Sequence, residues 1–414
     1  MSLDDFCADG PKGQGLWKRA EQVLPGGGVY LTRSADFAGR GVVPGFIEEA
    51  DGCRLVDVDG RKYIDFLGAN GPNLLGYCHP EIEEAVRRQA AKGVSVSFFS
   101  PSMIETVEGL LDYFSGFDWG LLSKTGSETL TFATRVAKQH TQRDHLVAFD
   151  SAYHGSAPEL AILPPSGPLT RAGENVHRIA WNDAEALEAL GRRVGDKIAG
   201  VLLNPLDQNP RQITQDISDD FRNAISAFCD RYGSLLILDD VRHGFRLHPE
   251  GSHKYVGLEP DILCLGKALG NGYALSAVLA KEEFRSAAQS ILYTSTHHFE
   301  TSPMRAALKT LEIYQRDNVF EHISRAGEQL RAGFVTAAEK SGHAISYSGP
   351  VTMPTFLFQN DPKCKKLRLF SRKAAEKGAI FHPSLNWNLS LAHTTQDIDE
   401  AVKIAAAAMS EMPV

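Results

Sequence analysis

Four short segments of the sequence carry polar side chains at positions where binding and catalysis are common. Each follows an apolar run that predicts a buried strand or opens a predicted helix; the segments are 124–128, 150–155, 238–246 and 261–272. In open α/β sheets ligands bind where the strands end, because loop side chains and helix N-termini converge at that edge. We therefore expect these segments to meet at one site.

The first segment, 124–128, places Gly126 and Ser127 at the start of a predicted helix. The unpaired N–H groups of a helix N-terminus and the helix dipole attract anions such as phosphate. An ordinary helix cap made by the Ser127 hydroxyl explains the same pattern. Both interpretations stay open when this motif is considered alone.

The second segment places Tyr153 and His154 before a glycine, just after the apolar run 146–149. An aromatic ring and an imidazole at a strand end can form a flat surface for a planar ligand. A half-buried loop tyrosine without a ligand is the alternative for Tyr153.

The third and fourth segments place an acid and a lysine after predicted strands. A carboxylate at Asp239, directly after four apolar residues, is costly to bury unless a cation faces it. Asp239 could instead cap the next turn or pair with Arg242 or Arg246. Lys267 lies in a glycine-rich turn, where burial would lower the pKa of its amine and suit it to Schiff-base chemistry. A solvated surface lysine is the alternative.

Together the four segments would supply an anion site, a surface for a ring, a carboxylate for a pyridinium nitrogen and a Schiff-base lysine. Pyridoxal 5'-phosphate (PLP) needs this set, since the cofactor serves as an electron sink while the protein supplies orientation and charge. The adjacent His297 and His298 could ligate a metal, but no third or fourth ligand has suitable spacing, so we predict no metal site.

Along the part of the chain that would position these residues, short apolar runs alternate with helical patterns. This alternation predicts an α/β fold with a mostly parallel sheet. Strands are predicted at 146–149, 200–203, 235–238, Ile262–Leu265 and Ser276–Ala280, and helices at 127–140 and Asp219–Tyr232. The segment 54–66 predicts a hairpin around Asp59-Gly60. We expect a large domain over 67–300 and a smaller α+β domain from 301–414 joined by the N-terminal segment 1–66.

Composition narrows the class of protein. The 414 residues include 43 Lys and Arg against 51 Asp and Glu, so no basic surplus of the kind found in non-specific nucleic-acid binders is present. No apolar run approaches the ~20 residues that span a bilayer, and the N-terminus lacks the pattern of a secretory signal. The six cysteines form no C-x-x-C pair. We predict a cytoplasmic protein with small-molecule substrates and no nucleic-acid or membrane partner.

On these motifs the chain resembles the class III, fold-type I PLP-dependent aminotransferases, and among them the glutamate-1-semialdehyde aminomutase branch. The resemblance covers nearly the whole chain, and its ordered matches include 24–27, 55–66, 71–80, the four segments above and 392–399. It implies a large PLP-binding domain and a smaller domain built from both chain ends.

The resemblance also implies roles for individual residues. Lys267 matches the catalytic Schiff-base lysine, and Asp239 matches the partner of the pyridine nitrogen. The other matches are Gly126 and Ser127 for the cofactor phosphate, Tyr153 with His154 for one face of the ring, Val241 for the opposite face, Arg33 for the substrate carboxylate and Thr296 for the phosphate bound by a neighbouring subunit.

The match at Thr296 depends on register, because the stretch that follows it is one residue longer than in the aminomutase. His298 is the alternative for that position. A threonine supplied by a neighbouring subunit implies a homodimer with shared active sites.

Four departures from the aminomutase pattern concern the substrate. Asp240 replaces a glutamate, Asn204 replaces the glutamate before a proline, Asn70 replaces an aromatic residue, and 383–390 lacks a glutamate. These changes weaken an assignment as an aminomutase and leave the cofactor chemistry intact.

We therefore predict an enzyme that moves an amino group between a carboxylate-bearing amino acid and a keto acid or aldehyde by a ping-pong mechanism, with Lys267 as general base and acid. An intramolecular aminomutase or an amino-acid racemase or epimerase on the same scaffold is the alternative. A catalytically silent homologue that acts as a binding protein is a third possibility.

Overall fold

The computed structural model describes residues 8–27, 39–150, 152–161, 173–209 and 211–413. Its α-helices are α1 (Pro11–Val23), α2 (Pro80–Ala90), α3 (Pro101–Tyr113), α4 (Gly126–Thr141), α5 (Ala184–Val194), α6 (Asp219–Tyr232), α7 (Ser252–Val256), α8 (Arg285–Gln289), α9 (Ser302–Arg316), α10 (Val319–Lys340), α11 (Lys365–Glu376) and α12 (Thr395–Ser410). Its strands are β1 (Ile47–Asp51), β2 (Arg54–Asp57), β3 (Lys62–Asp65), β4 (Trp119–Ser123), β5 (His145–Phe149), β6 (Val176–Ile179), β7 (Ile198–Leu203), β8 (Leu235–Asp239), β9 (Ile262–Leu265), β10 (Ser276–Ala280), β11 (Ile345–Ser348), β12 (Thr355–Phe358) and β13 (Ala379–Ile380).

The chain divides into two compact units. The terminal unit comprises Met1–His79, Gln208–Thr214 and Arg316–Val414, and the central unit comprises Pro80–Asp207 and Gln215–Gln315. The main boundaries therefore fall after residues 79 and 315, later in the chain than the predicted boundaries at 66 and 300. In the terminal unit, Leu391 N donates to Leu74 O over 2.9 Å, which ties the loop after β3 to this unit. In the central unit, the Tyr314 hydroxyl near the end of α9 donates to Phe245 O over 2.9 Å.

The central unit is built on a seven-stranded sheet in the order β4-β10-β9-β8-β7-β5-β6. The strands from β9 to β6 run parallel, while β10 is antiparallel to both β9 and β4. Every residue of β7, β8, β9 and β10 is buried. Strands covered on both faces are typical of parallel sheets flanked by helices, and the predicted α/β fold with a mostly parallel sheet is confirmed.

All five predicted strands are present, and the two predicted helices correspond to α4 and α6. The bounds of α6 match the prediction because its ends are marked locally: the Ser218 hydroxyl accepts from Phe221 N, and Gly233 ends the helix in a left-handed conformation. Strands β4 and β6 were not predicted. Strand β6 lies at the edge of the sheet and its residues are only partly buried, so it lacks an apolar run.

The terminal unit contains a four-stranded sheet in the order β1-β2-β3-β13. Strands β2 and β3 form the predicted antiparallel hairpin around Asp59-Gly60, and β13 pairs in parallel with β3. A second, two-stranded sheet pairs β11 with β12. The core of this unit also contains five aromatic side chains in mutual contact: Phe334, Phe356, Phe370, Phe381 and Trp387. Within the described ranges, no helix is long and apolar enough to cross a membrane.

Candidate active site

The polar segments predicted to meet do so at one edge of the central sheet. Because β5, β8 and β9 are parallel, their carboxyl ends lie on the same side. His154 follows β5, Asp239 ends β8 and Lys267 follows β9. This edge is where side chains and helix N-termini converge on ligands in open α/β sheets.

Asp239 and His154 form a buried pair. The His154 Nδ1 atom lies 2.9 Å from Asp239 Oδ2, and the two residues are 1% and 4% exposed. A carboxylate oxygen only accepts, so Nδ1 carries the hydrogen. The other carboxylate oxygen accepts from Val241 N over 3.2 Å. Both oxygens of Asp239 are therefore held in fixed positions, and His154 Nε2 has no hydrogen-bond partner among the described residues.

Lys267 opens a short 3-10 turn directly after β9 and has a left-handed backbone with φ of 44°. Its side chain lies among ionisable groups rather than in bulk solvent. Burial, and next the positive charge of Arg242, lower the pKa of Lys267 to about 8, although the charge of Asp239 acts in the opposite direction. Lys267 is therefore unlike a solvated surface lysine, and its amine is partly neutral near pH 8.

The start of α4 is capped by Thr125, so the interpretation of Ser127 as the cap is wrong. Thr125 Oγ1 accepts from Glu128 N over 3.3 Å, and Glu128 Oε2 accepts from Thr125 N over 2.8 Å. This capping box satisfies the free N–H groups that Ser127 was expected to serve. The Ser127 hydroxyl instead accepts from Ser156 N over 3.0 Å, which joins the helix start to the loop after β5.

Val241 connects the helix start to the lysine turn. A Cβ atom at Gly126 would lie 2.7 Å from Val241 Cγ1, and one at Gly266 would lie 3.1 Å from the same atom. Only glycine permits such a close approach at Gly126. The structure thus brings Gly126, Ser127, His154, Asp239, Val241 and Lys267 together through direct contacts or adjacent residues.

The remaining predicted site residues have different positions. Tyr153 precedes His154 and is 59% exposed. Thr296 is exposed at the start of the 3-10 turn Thr296–Phe299, whereas His298 in the same turn is buried, with Nε2 3.3 Å from Glu128 Oε1. Arg33 lies outside the described residues. Among the described residues no group of three or more His, Cys, Asp or Glu side chains is placed to hold a metal ion.

A family model described as aminotransferase class-III matches residues 37–409. The chain belongs to this family. As predicted, it is a PLP-dependent aminotransferase, and the resemblance to the class III enzymes is confirmed.

Individual relatives cover nearly the whole aminotransferase. The chain is 33% identical over 407 residues to aminopentol aminotransferase of Sphingopyxis macrogoltabida, which spans 97% of this chain and 95% of that protein. It is 29% identical over 427 residues to glutamate-1-semialdehyde 2,1-aminomutase of Natranaerobius thermophilus, covering 96% and 98% of the two chains. A solved structure of the FumI protein of Sphingopyxis sp. MTA144, which carries PLP, superposes with a TM-score of 0.92 at 32% identity and covers 97% and 96% of the two chains.

The residues present at the sheet edge fit PLP. Asp239 offers a buried carboxylate for a protonated ring nitrogen, and Gly126 and Ser127 form the N-terminus of α4, where the helix dipole favours an anion such as phosphate. Lys267 offers a side-chain amine of lowered pKa for the aldehyde carbon. The central unit of the aminotransferase thus provides the anion site, the carboxylate and the amine.

Arg242, expected from the sequence only as an alternative partner for Asp239, also lowers the pKa of Lys267. Arg242 Nη2 donates to His243 Nε2 over 3.1 Å. Burial, and next the charge of Arg242, hold the pKa of His243 well below its usual value, so this imidazole is a neutral acceptor. The sequence does show a charged residue, Arg242, between Val241 and His243. This segment is buried in the folded aminotransferase, so the charge of Arg242 acts on its neighbours.

Proposed function

We propose that the enzyme moves an amino group from a carboxylate-bearing amino acid to a keto acid or an aldehyde in two half-reactions that share one site. The observation that carries this proposal is the juxtaposition of the Asp239–His154 pair with Lys267 at the carboxyl edge of the central sheet. A buried carboxylate for the ring nitrogen and an amine of lowered pKa for the aldehyde carbon are two of the groups that a PLP site takes from the protein.

In this proposal, PLP when bound supplies an electron sink that stabilises negative charge on the substrate carbon that carries the amine. Ser127 and the backbone at Gly126 would hold the phosphate, and the Asp239 carboxylate would hold the ring nitrogen. Tyr153 and Val241 would contact the ring. His154 orients Asp239, since its Nδ1 hydrogen is donated to Oδ2.

Lys267 moves the proton. A lysine with a pKa of about 8 exists in both protonation states near pH 8, so Nζ can take a proton from the substrate carbon and return one. The left-handed backbone of Lys267 starts this side chain directly at the end of β9, beside Asp239. The same amine thus serves as base in one direction and as acid in the other.

Arg33 is the residue proposed to bind the substrate carboxylate, because a guanidinium pairs with a carboxylate through two parallel hydrogen bonds. One relative is named for aminopentol and another for glutamate-1-semialdehyde. A substrate survey should therefore include amines without a carboxylate as well as α-, β- and ω-amino acids.

We also propose that the enzyme acts in the cytoplasm as a homodimer. The central unit exposes several large apolar side chains, three of them in the segment 94–104. Their exposed fractions are 84% for Phe98, 76% for Phe99, 61% for Ile104 and 90% for Leu292. Phe99 contacts Phe299 with ring centroids 5.6 Å apart, so these residues adjoin the turn that carries Thr296. Exposed apolar clusters of this kind mark interfaces. A second copy of the chain would cover these side chains, and Thr296 would then contact the phosphate of the PLP bound by that copy.

The test is an absorbance spectrum of the purified enzyme with PLP, recorded before and after each amine of the survey is added. Conversion of the PLP band to the pyridoxamine form by one class of amine, reversed by a keto acid, supports the proposal. A substrate that is consumed without any added acceptor supports the aminomutase or the racemase. A protein that binds no PLP would contradict all three functions.

A further inference from the structure

The segment 152–160, which follows β5, carries Tyr153 and His154 of the candidate active site. Its middle is held by the site itself, because His154 is bonded to Asp239 and Ser156 N donates to the Ser127 hydroxyl over 3.0 Å. Tyr153 is different, since this side chain is 59% exposed and packing alone does not fix its ring. The position of that ring therefore depends on how the ends of the segment are held.

Arg178 on β6 bonds both ends of this segment. Its Nη2 atom donates to Leu160 O over 3.1 Å at the far end. Its Nη1 atom donates to Phe149 O and Ala152 O at the near end, over 3.5 Å each. A guanidinium presents its N–H donors in a rigid planar fork, so one arginine can bond two pieces of chain at once. The two ends of the segment are thus joined through a single side chain.

Strand β6 provides a fixed base for Arg178. It pairs in parallel with β5, and Arg178 lies opposite Ala148. The preceding residue, His177, points to the other face of the sheet, because neighbouring residues of a strand alternate. There His177 Nε2 lies 2.8 Å from His145 Nδ1, and one ring nitrogen donates to the other. The strand is therefore held to β5 by its backbone and by a side-chain pair, while Arg178 reaches the segment 152–160.

We propose that Arg178 is a positioning residue that joins the ends of the segment 152–160 and thereby sets the position of Tyr153. This inference rests on the proposed contact of Tyr153 with the cofactor ring. The guanidinium is always charged in proteins, so its bonds to the three carbonyls are stronger than neutral ones. Arg178 is itself an exposed residue, so its replacement leaves no cavity in the core.

The test measures PLP affinity and amide exchange in the full-length enzyme. Arg178→Ala should raise the Kd of PLP by about tenfold, as followed by absorbance during titration, because a displacement of ~1 Å in a positioning group can cost up to about a hundredfold. In the enzyme with PLP, amides of 152–161 should exchange with deuterium about tenfold faster, whereas those of α6 should keep their rates. Arg192→Ala is the matched control, because Arg192 is 65% exposed and pairs with Glu188 on its own helix.

A double-mutant cycle shows whether Arg178 acts through Tyr153. In the Tyr153→Ala enzyme, adding Arg178→Ala should raise the Kd of PLP by less than about twofold, since two residues that act through one contact are not additive. Arg178→Lys keeps the positive charge but has one ammonium group, which cannot bond both ends of the segment. We expect it to recover less than about half of the lost affinity, whereas a role of the charge alone would give full recovery.

The outcomes separate this inference from the proposed function. A wild-type protein that binds no PLP contradicts both. If PLP binds, unchanged exchange of 152–161 in Arg178→Ala overturns the inference alone, as do additive effects in the cycle or full affinity in Arg178→Lys. If Arg178→Ala fails to fold, as judged by circular dichroism, Arg178→Lys and Arg192→Ala decide, since equal PLP affinity in these two variants would contradict the proposal.

Discussion

The central and terminal units both bury ionisable side chains, with Asp57, Asp65 and His393 of the terminal unit each 2% exposed, but the two units place these groups differently. The central unit buries ionisable groups at the ends of its strands: His154, Asp239 and Asp240 are 1%, 4% and 0% exposed. The terminal unit packs aromatic rings against one another, with Phe381 and Trp387 centroids 4.7 Å apart. Buried charges cost free energy unless they are paired, whereas buried rings contribute it. The central unit thus gathers ionisable groups at its strand ends, where Asp240 Oδ1 has no hydrogen-bond partner among the described residues. The terminal unit instead combines an aromatic cluster with buried acids, Asp57 and Asp65, that accept hydrogen bonds from tyrosine hydroxyls.

The largest expected effect comes from a substitution that lowers the transamination rate and leaves the packing of both units unchanged. Replacing Lys267 by alanine removes the proton-transferring amine, and we expect the transamination rate to fall on the order of 10²–10⁴-fold or more. The measurement is the rate of keto-acid formation at saturating PLP. Lys281→Ala is the control, because this lysine pairs with Asp261 over 2.9 Å on the edge of the same unit. A Lys267→Ala enzyme with normal rates would remove Lys267 from the proposed mechanism.

The second prediction concerns a substitution that disturbs the packing of the terminal unit and leaves the chemistry of the enzyme unchanged. Phe334 is fully buried and contacts the rings of Phe356, Phe381 and Trp387. Replacing it by alanine should lower the free energy of unfolding by about 3–5 kcal/mol, measured by urea denaturation, because a cavity remains. The rate per folded molecule should not change. Val335→Ala, at an exposed neighbour, should alter stability by less than about 0.5 kcal/mol; an equal loss in the two variants would contradict the role of the aromatic core.

The third prediction concerns the stability cost of the central unit. Burial raises the pKa of Asp240 from 3.8 to about 7. Because the folded pKa lies above the unfolded one, the protonated carboxyl stabilises the fold at low pH, and this contribution is lost as the pH rises through 7. Asp240→Asn resembles the protonated form and should remove about 2–3 kcal/mol of the stability difference between pH 5 and pH 8. Urea midpoints at the two pH values measure it, and an unchanged pH dependence would show that Asp240 ionises freely.

The smallest expected effect tests how Asp239 is held. His154→Ala leaves the carboxylate without its Nδ1 donor, and a hydrogen bond to a charged group contributes about 1.5–3 kcal/mol. We expect the rate to fall by about ten- to a hundredfold and PLP to bind more weakly, as followed by absorbance during titration. His140→Ala is a suitable control on α4. Normal rates in His154→Ala would mean that Val241 N alone orients the carboxylate.

The two units also differ in how far the sequence predicts them. Strands β8 and β9 are covered on both faces and therefore read as apolar runs, so Asp239 and Lys267 were recognisable at their ends. The terminal unit offers weaker signals, because β13 has two residues and pairs with a strand far away in the chain. The three segments of that unit meet only in the folded chain.

Within the site, side-chain pairing was less predictable than position. His154 and Asp239 are 85 residues apart, and no local pattern states that they share a hydrogen bond. The sequence alone does not identify the cap of α4, because Thr125, Ser127 and Glu128 are all acceptable capping partners. Only the backbone conformation, with Thr125 extended just before the helix, decides between them.

The pairing of β3 with β13 has a consequence for the order of events on the ribosome. Residues 62–65 leave the exit tunnel about 317 residues before their partners at 379–380, which at roughly 5–20 residues per second is a wait of about 15–65 seconds. The central unit, whose last residue is 315, is complete before then. The nascent hairpin must stay unpaired on one edge throughout this interval, so all residues of the central unit are synthesised before β3 can acquire its parallel neighbour.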